Sequence, residues 1–319
     1  MFFVLNTTSK HFSVFEIYTN KSKVDKGTKM KKILVTGANS YIGTSFDNHM
    51  KTFLGEYSVD TMDMIDGAWR EKSFAGYDAV FHVVGIAHSD TGNVSKEEEK
   101  KYYEINTDLA IETAKKAKDD GVKQFVYMSS IIVYGDSNPI GKPKVITADT
   151  PVSPTNYYGD SKVQAEKGIL ELADEGFKAA IVRSPMVYGK NSKGNYPTLA
   201  KMALKLPLFP YVKNQRSMIY VGNLCEFIRL LITNEDSGIF CPQNSVYTNT
   251  SEMVKQIALC HGKKRPLIKG FGWVLRILSH MTPVVNKAFG NLSYDMNISE
   301  YKQDYRIVTF EESIKLTEG

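Results

Sequence analysis

Tyr158 and Lys162 stand four residues apart in Tyr-Gly-Asp-Ser-Lys. In a helix that spacing puts both side chains on one face. A phenol with a reference pKa of about 10 is a poor base at neutral pH, but a neighbouring ammonium favours its ionised form and draws it toward the working range. Ser130 follows an apolar run and precedes Ile-Ile-Val-Tyr-Gly. From the carboxyl end of a strand its hydroxyl can hydrogen-bond an oxygen that gains or loses a proton. The three residues could therefore move a proton at a secondary alcohol, with Ser130 also touching the substrate.

Such chemistry needs a hydride carrier, and the start of the chain offers a place for one. Gly37-Ala-Asn-Ser40-Tyr41-Ile42-Gly43 follows the run KKILVT. Gly37 allows the tight turn, position 40 lets the backbone approach a pyrophosphate, and Gly43 lets helix and strand pack closely. The N–H groups at the helix start then face the anion. Asp63 lies 20 residues beyond Gly43. A carboxylate there accepts hydrogen bonds from a ribose diol and repels a 2′-phosphate, which selects NAD over NADP.

The elements that must hold these residues alternate in type. Strands are expected at 31–37, Tyr57–Asp63, Ala79–Val84, Gln124–Ser130 and Ala179–Arg183, and helices at Tyr41–Phe53, Lys96–Asp120 and Tyr158–Glu175. Near-continuous apolar strands between helices predict an α/β fold, a doubly wound parallel Rossmann sheet covered on both faces. After Pro185 the pattern loosens, with Pro197, Pro207, Pro210 and Pro242 dispersed through it. The expected organisation is a leader over 1–29, a dinucleotide-binding domain over 30–184 to which later segments can return, and a smaller mixed substrate lobe over 185–319. The leader is expected to be disordered or an upstream start-site extension, the alternative being an N-terminal arm.

Bulk properties exclude other classes. The net charge is +5, of which residues 1–29 supply +3 through five lysines against Glu16 and Asp25. The remaining +2 is too small for a nucleic-acid binder. Cys225, Cys241 and Cys260 form no Cys-x-x-Cys pair, so neither a zinc site nor a disulfide framework is expected, and no metal. The cysteines are read as core residues and the location as cytoplasmic. No apolar run reaches the roughly 18 residues of a membrane span, so no stable membrane insertion is expected. Gly270–Phe289, where apolar residues alternate with Lys269, Arg276 and Lys287, reads as a helix packing the substrate lobe or as a basic amphipathic helix lying on a membrane. His82 and His88 are read as packing residues.

With TGANSYIG, FHVVGIAH, Asn106, SSIIVYG, YGDSK, RSPMVYG and RSMIYVGNL in this order, the chain resembles the extended short-chain dehydrogenases. Within them it is similar to the NAD-dependent epimerase/dehydratase group acting on nucleotide sugars. The resemblance implies bound NAD, a UDP-sugar substrate and a homodimer built on the helices at 96–120 and 158–175. It also implies that Gly85, Asn106 and Pro185 serve the cofactor beside Tyr158 and Lys162, and that Asn195 and Arg216 serve the substrate. A guanidinium is well suited to grip a diphosphate. Sugar-nucleotide 4,6-dehydratases resemble Ser/Thr-Asp-Glu-Val-Tyr-Gly at the serine, whereas this chain has Ile131 and Ile132 there. Neither can transfer a proton, which disfavours elimination. The expected activity is C4 epimerisation of a UDP-hexose or UDP-N-acetylhexosamine through a 4-keto sugar, in polysaccharide biosynthesis. Reduction of a 4-keto sugar and a non-catalytic NAD-binding regulator are the alternatives. Four positions depart from the resemblance: Ser40 for the middle glycine, a short connection between Asp63 and Val80 that leaves Asp66 competing with Asp63, Met186 for an asparagine, and Gly222 for an aspartate.

Overall fold

Six parallel strands form the centre of the molecule, and their amphipathic alternation divides the core into two layers. The computed structural model describes residues 29–86, 95–271, 275 and 283–319. The expected leader, apart from Lys29, and His88 lie outside them, as does most of the stretch from Gly272 to Thr282. The strands are β1 (Lys31–Thr36), β2 (Tyr57–Met62), β3 (Ala79–His82), β4 (Gln124–Ser130), β5 (Lys178–Ser184) and β6 (Gly238–Phe240), in the order β6-β5-β4-β3-β1-β2. Every pairing is parallel, so each crossover must carry a covering element.

Successive residues of a strand face opposite sides. Leu34, Val80, Phe125, Tyr127, Ala179 and Ile181 form one layer with Ala110, Ala114, Ala117, Ala165 and Ile169. Those residues come from α3 (Leu109–Asp119) and α4 (Tyr157–Glu171), which follow α1 (Tyr41–Met50) and α2 (Lys96–Tyr103). The alanines let α3 lie close on the sheet. Ile33, Val35, Phe81, Val126, Met128, Ala180 and Val182 face the other way, against Phe46 and Met50 of α1 and Leu224–Ile232 of α6 (Val221–Asn234). Between them in the chain comes α5 (Asn195–Lys205).

Several boundaries differ from the expectation for visible reasons. The helix starting at 157 stops at Glu171 because the Asp174 carboxylate accepts from the N–H groups of Gly176 and Phe177 while Lys118 holds the Leu172 carbonyl. The segment 96–119 is not one regular helix: a π-helical turn at Glu104–Asp108 interrupts it. The sheet edge is abbreviated, as the short connection between Asp63 and Val80 implies, with only a 3₁₀ turn at Ala68–Glu71 between β2 and β3. The dinucleotide half also draws on more of the chain than 30–184. Its edge strand β6 pairs with β5, and Phe227 of α6 packs edge-on against Phe240, Tyr301 and Tyr305. The rest of the C-terminal half forms a smaller lobe of α5, α7 (Thr250–Cys260), α8 (Pro283–Phe289), α9 (Phe310–Glu318) and short paired strands. Cys225 and Cys241 are buried as expected, but Cys260 is exposed, on the solvent side of α7.

Phe227→Ala should remove a fully enclosed ring that packs edge-on against three aromatic neighbours. Urea unfolding is expected to show a loss of about 3–5 kcal/mol, and a single cooperative transition that still includes β1–β5 would confirm that α6 belongs to the sheet's core.

Candidate active site

The carboxyl ends of β1, β3, β4 and β5 meet the start of α4, and the candidate residues gather there. Ser130 ends β4 and turns the chain into a 3₁₀ segment, Ile131–Tyr134, whose Ile132 N–H donates to the Ser130 hydroxyl at 3.3 Å. Asn156 caps α4 by accepting from the Gly159 N–H at 2.9 Å, which places Tyr158 in the first turn. The phenol of Tyr158 lies beside the Ser130 hydroxyl, which favours the ionised phenol. Gly159 has no Cβ because one would lie 2.9 Å from the Ile132 carbonyl oxygen; the contact brings helix and serine turn together.

One helical turn on, Lys162 is buried. Its Nζ donates to the Met128 carbonyl at 2.9 Å and lies 4.5 Å from the centre of the Tyr127 ring, a cation–π distance. Burial pushes this ammonium down to about 7, opposed by the Glu166 carboxylate four residues later. Glu166 is itself held in a closed network. It accepts from Ser129 and from Arg183, with Arg183 Nη2 at 2.6 Å, while Arg183 Nη1 donates to the Tyr134 hydroxyl at 2.6 Å. Tyr158 moves the opposite way from Lys162. Burial raises its phenol above the ordinary range, the Ser130 hydrogen bond works against that rise, and the Tyr102 phenol adds to it. Acidification of Tyr158 by Lys162, expected from the spacing alone, is therefore not what these residues produce by themselves: the ammonium is turned toward Met128.

Asn106 is completely buried in the π-helical turn. Its Oδ1 accepts from the Ile86 N–H at 2.9 Å, and its Nδ2 donates to the Ile86 carbonyl and to the Ser161 hydroxyl, each at 3.1 Å. It thus fastens the chain after β3 to α4. The extra backbone room of a π turn, common at functional sites, turns this amide inward; Asn106 is readable from the resemblance, but nothing in the residue pattern announces the turn. A Cβ on Gly85 would stand 3.0 Å from Asn106 Oδ1 and 3.2 Å from Lys162 Nζ.

The loop after β1 has the shape a dinucleotide requires. Gly37 takes φ +102°, and a Cβ there would meet Val83 and Val84 at 3.1–3.2 Å. A Cβ on Gly43 would meet the Ser40 hydroxyl at 2.7 Å and Val35 at 3.2 Å. Ser40 caps α1 by accepting from the Gly43 N–H at 3.1 Å. Its side chain therefore substitutes for the missing glycine by a local bond, leaving the N–H groups of Tyr41 and Ile42 without an intrahelical acceptor. The Tyr41 hydroxyl is buried with no hydrogen-bond partner. Asp63 is exposed just past β2, its carboxylate accepting from the Ile65 N–H, and Asp66 accepts from Ala68 further out. Gly37, Ser40, Tyr41, Ile42, Gly43, Asp63, Gly85, Asn106 and the buried Pro185 lie along the carboxyl edge of the sheet. These residues fit a dinucleotide: three glycines keep a cradle open that side chains would fill.

On the lobe side, Arg216 is half-buried, pushed down to about 10 by desolvation, and donates from Nη1 to the Gly290 carbonyl at 3.1 Å. Among the described residues no carboxylate pairs with it. Asn195 is exposed at the first position of α5. Ile131 and Ile132 both stay in the serine turn, Ile131 within an apolar cluster. Met186 packs into the lobe core. Gly222 has its reason in Tyr220, whose ring a Cβ would meet at 2.6 Å.

A family model described as NAD dependent epimerase/dehydratase matches residues 33–240. The chain belongs to that family. Its relatives include a UDP-glucose 4-epimerase of Vibrio cholerae, 26% identical over 84% of this chain and 88% of that protein. Another is the N-acetyl-alpha-D-glucosaminyl-diphospho-ditrans,octacis-undecaprenol 4-epimerase of Escherichia coli O157:H7, 24% identical over 73% of each. Among solved structures, a Bacillus cereus UDP-glucuronic acid 4-epimerase in complex with NAD and a fluorinated UDP-sugar has the same fold. It aligns with a TM-score of 0.66 at 15% identity, covering 90% of this chain and 98% of the other. The chain is thus an NAD-dependent enzyme of the extended short-chain type.

His82, read as a packing residue, is fully buried between the Phe125 and Tyr127 rings. Its Nδ1 meets Thr36 Oγ1 at 2.8 Å, while Nε2 has no partner. Burial and the nearby Lys162 ammonium drive it down to about 3. The unfolded chain therefore binds a proton here between about pH 6.5 and 3 that the folded protein refuses, so this contribution to stability is complete above 6.5 and is lost as pH falls. His82→Phe should flatten that acid limb, by several kcal/mol at most, in denaturation midpoints compared between pH 7 and pH 4.

Glu166 opposes the downward shift of Lys162. In the cofactor-free protein, Glu166→Gln should move the midpoint for acetic anhydride labelling of Lys162 to lower pH, read by peptide mass spectrometry. An unmoved midpoint would deny Glu166 this role.

Proposed function

We propose that the protein epimerises C4 of a UDP-hexose or UDP-N-acetylhexosamine through a 4-keto sugar. The observation that carries this reading is the Tyr158 phenol set beside the Ser130 hydroxyl, one helical turn from a buried lysine, with two isoleucines after the serine where elimination would need acids. NAD, when bound, supplies a reversible hydride acceptor. The chain's own residues do the rest. Tyr158 takes the proton of the C4 hydroxyl through its phenol oxygen and returns it after the keto sugar has presented its other face. Ser130 holds that same oxygen by hydrogen bonding, so the proton moves along a line fixed by β4 and α4. Lys162 lies beneath the site with its amine held on the Met128 carbonyl. Arg216, with no competing carboxylate, grips the diphosphate.

A second reading keeps the reaction and changes the carrier. The Escherichia coli relative is named for a sugar diphosphate on undecaprenol, and a guanidinium holding a diphosphate is indifferent to what lies beyond it. The homodimer implied by the family resemblance, a cytoplasmic location and a role in polysaccharide building are part of the same proposal.

The purified protein should interconvert gluco and galacto forms of a UDP-sugar with no cofactor added, followed by NMR. Turnover only with stoichiometric reduced cofactor would replace epimerisation by 4-keto reduction. Conversion of the polyprenyl-linked sugar alone would select the second reading. Tyr158→Phe should lower turnover by about 10²-fold or more while cofactor stays bound by mass spectrometry; substantial residual activity would place the base elsewhere.

A further inference from the structure

The C-terminal lobe carries an exposed apolar groove that the reaction does not use. Leu208, Pro210, Ile268, Phe271 and Leu275 line it. It forms where Phe209–Pro210 pairs with Leu267–Ile268, through Phe209 N–H to the Pro266 carbonyl at 3.1 Å and Tyr211 N–H to the Ile268 carbonyl at 2.9 Å. Leu206 is 41%, Leu208 46% and Phe271 51% exposed. A single exposed leucine means little, but several grouped along one edge mark a contact surface.

The two chain stretches that form this groove carry charge of one sign, with Glu252 standing just before the second. Residues 176–225 contain eight Lys and Arg and 253–294 contain seven, and neither stretch has an Asp or Glu. Lys263 and Arg265 tie back to the end of α5, through the carbonyls of Leu204 at 3.1 Å and Ala203 at 2.8 Å, beside the exposed run Lys205–Leu208. Lys205, Lys213, Lys264 and Lys269 are exposed, and among the described residues none lies within ion-pair distance of a carboxylate.

We propose that this groove and its lysine rim rest on an anionic lipid bilayer. A second copy of the chain would bring lysine against lysine, whereas a bilayer with acidic headgroups accepts both features. The lysine stems lie along the apolar surface with their ammonium groups among the headgroups, and Leu206, Leu208 and Phe271 enter the acyl boundary. The attachment is peripheral, since no helix among the described residues is long and apolar enough to cross a membrane. The chain leaves the groove at Pro210 and reaches Arg216 six residues later, so docking would bring the proposed diphosphate grip near the lipid surface. This surface is inferred independently of which carrier holds the sugar.

The test is co-sedimentation of the full chain with vesicles of phosphatidylcholine alone or with about 30 mol % phosphatidylglycerol. The expected result is binding to the acidic vesicles only, falling about tenfold or more when salt is raised to roughly 0.5 M. Leu208→Ser with Phe271→Ser, and separately Lys205→Glu with Lys264→Glu and Lys269→Glu, should each weaken binding about tenfold, with turnover of a soluble UDP-sugar unchanged. Equal binding to both vesicle types, none to either, or variants that dissociate a dimer in sedimentation velocity without affecting vesicle binding would overturn it. If the serine variant fails to fold, the surface-charge variant decides. Because vesicle binding needs no turnover, its failure is separate from failure of the epimerase reading.

Discussion

Keeping an ammonium out of water under the start of α4 is the demand to which the rest of the site answers. Lys162 is almost fully enclosed, and a buried cation is costly unless fixed dipoles and charges replace its hydration. The Met128 carbonyl, the Tyr127 ring and the Glu166 carboxylate supply that replacement. Each comes from an element already fixed for other reasons: two from β4, one from the next turn of α4. Glu166 can face the interior because Arg183 of β5 and Ser129 of β4 hold it. The charge on one amine thus specifies side chains on two strands and a helix.

The π-helical turn does comparable work in geometry. A regular helix from Lys96 to Asp119 would give Asn106 a different direction. With the added residue in the turn, its amide meets both Ile86 and Ser161, and Thr107 donates to the Ser161 carbonyl at 2.7 Å. The chain leaving β3, the long helical segment and α4 are therefore locked together at the point where the lysine, the phenol and the cradle must agree. Tyr127 closes the lock from the sheet, donating its hydroxyl to the Asn106 carbonyl.

Much of this was readable from residue types and spacing. The Gly37 turn, the strand ending at Ser130 and the Tyr158–Lys162 face follow from local rules: glycine where φ is positive, apolar runs for covered strands, i and i+4 on one side of a helix. The π turn was not readable, because it depends on tertiary contacts of Asn106 that no periodicity announces. The direction of the Tyr158 shift was also misjudged from sequence. Spacing shows that an ammonium is near, but not that its donor points at a carbonyl. The Glu166–Arg183 pair was missed because a glutamate on a helix ordinarily reads as solvated; the only signal was its place four residues after Lys162, on the inward face. That later segments can return to the sheet follows from the loosened pattern after Pro185, but which strand returns was not readable, since β6 is three residues long and its Gly-Ile-Phe carries no pattern.

That returning strand also bears on how the polypeptide is made. Tyr305 stands in the same aromatic cluster as Phe227 and Phe240, and its hydroxyl donates to the carbonyls of Gln243 and Ser299. The sheet's last layer therefore awaits residues that leave the ribosome long after β5. A nascent chain halted after β5 would hold five strands with one face covered only by α1. The nucleotide half is not complete once β5 has been made, and splitting the gene between the two lobes would yield two fragments that need each other to fold.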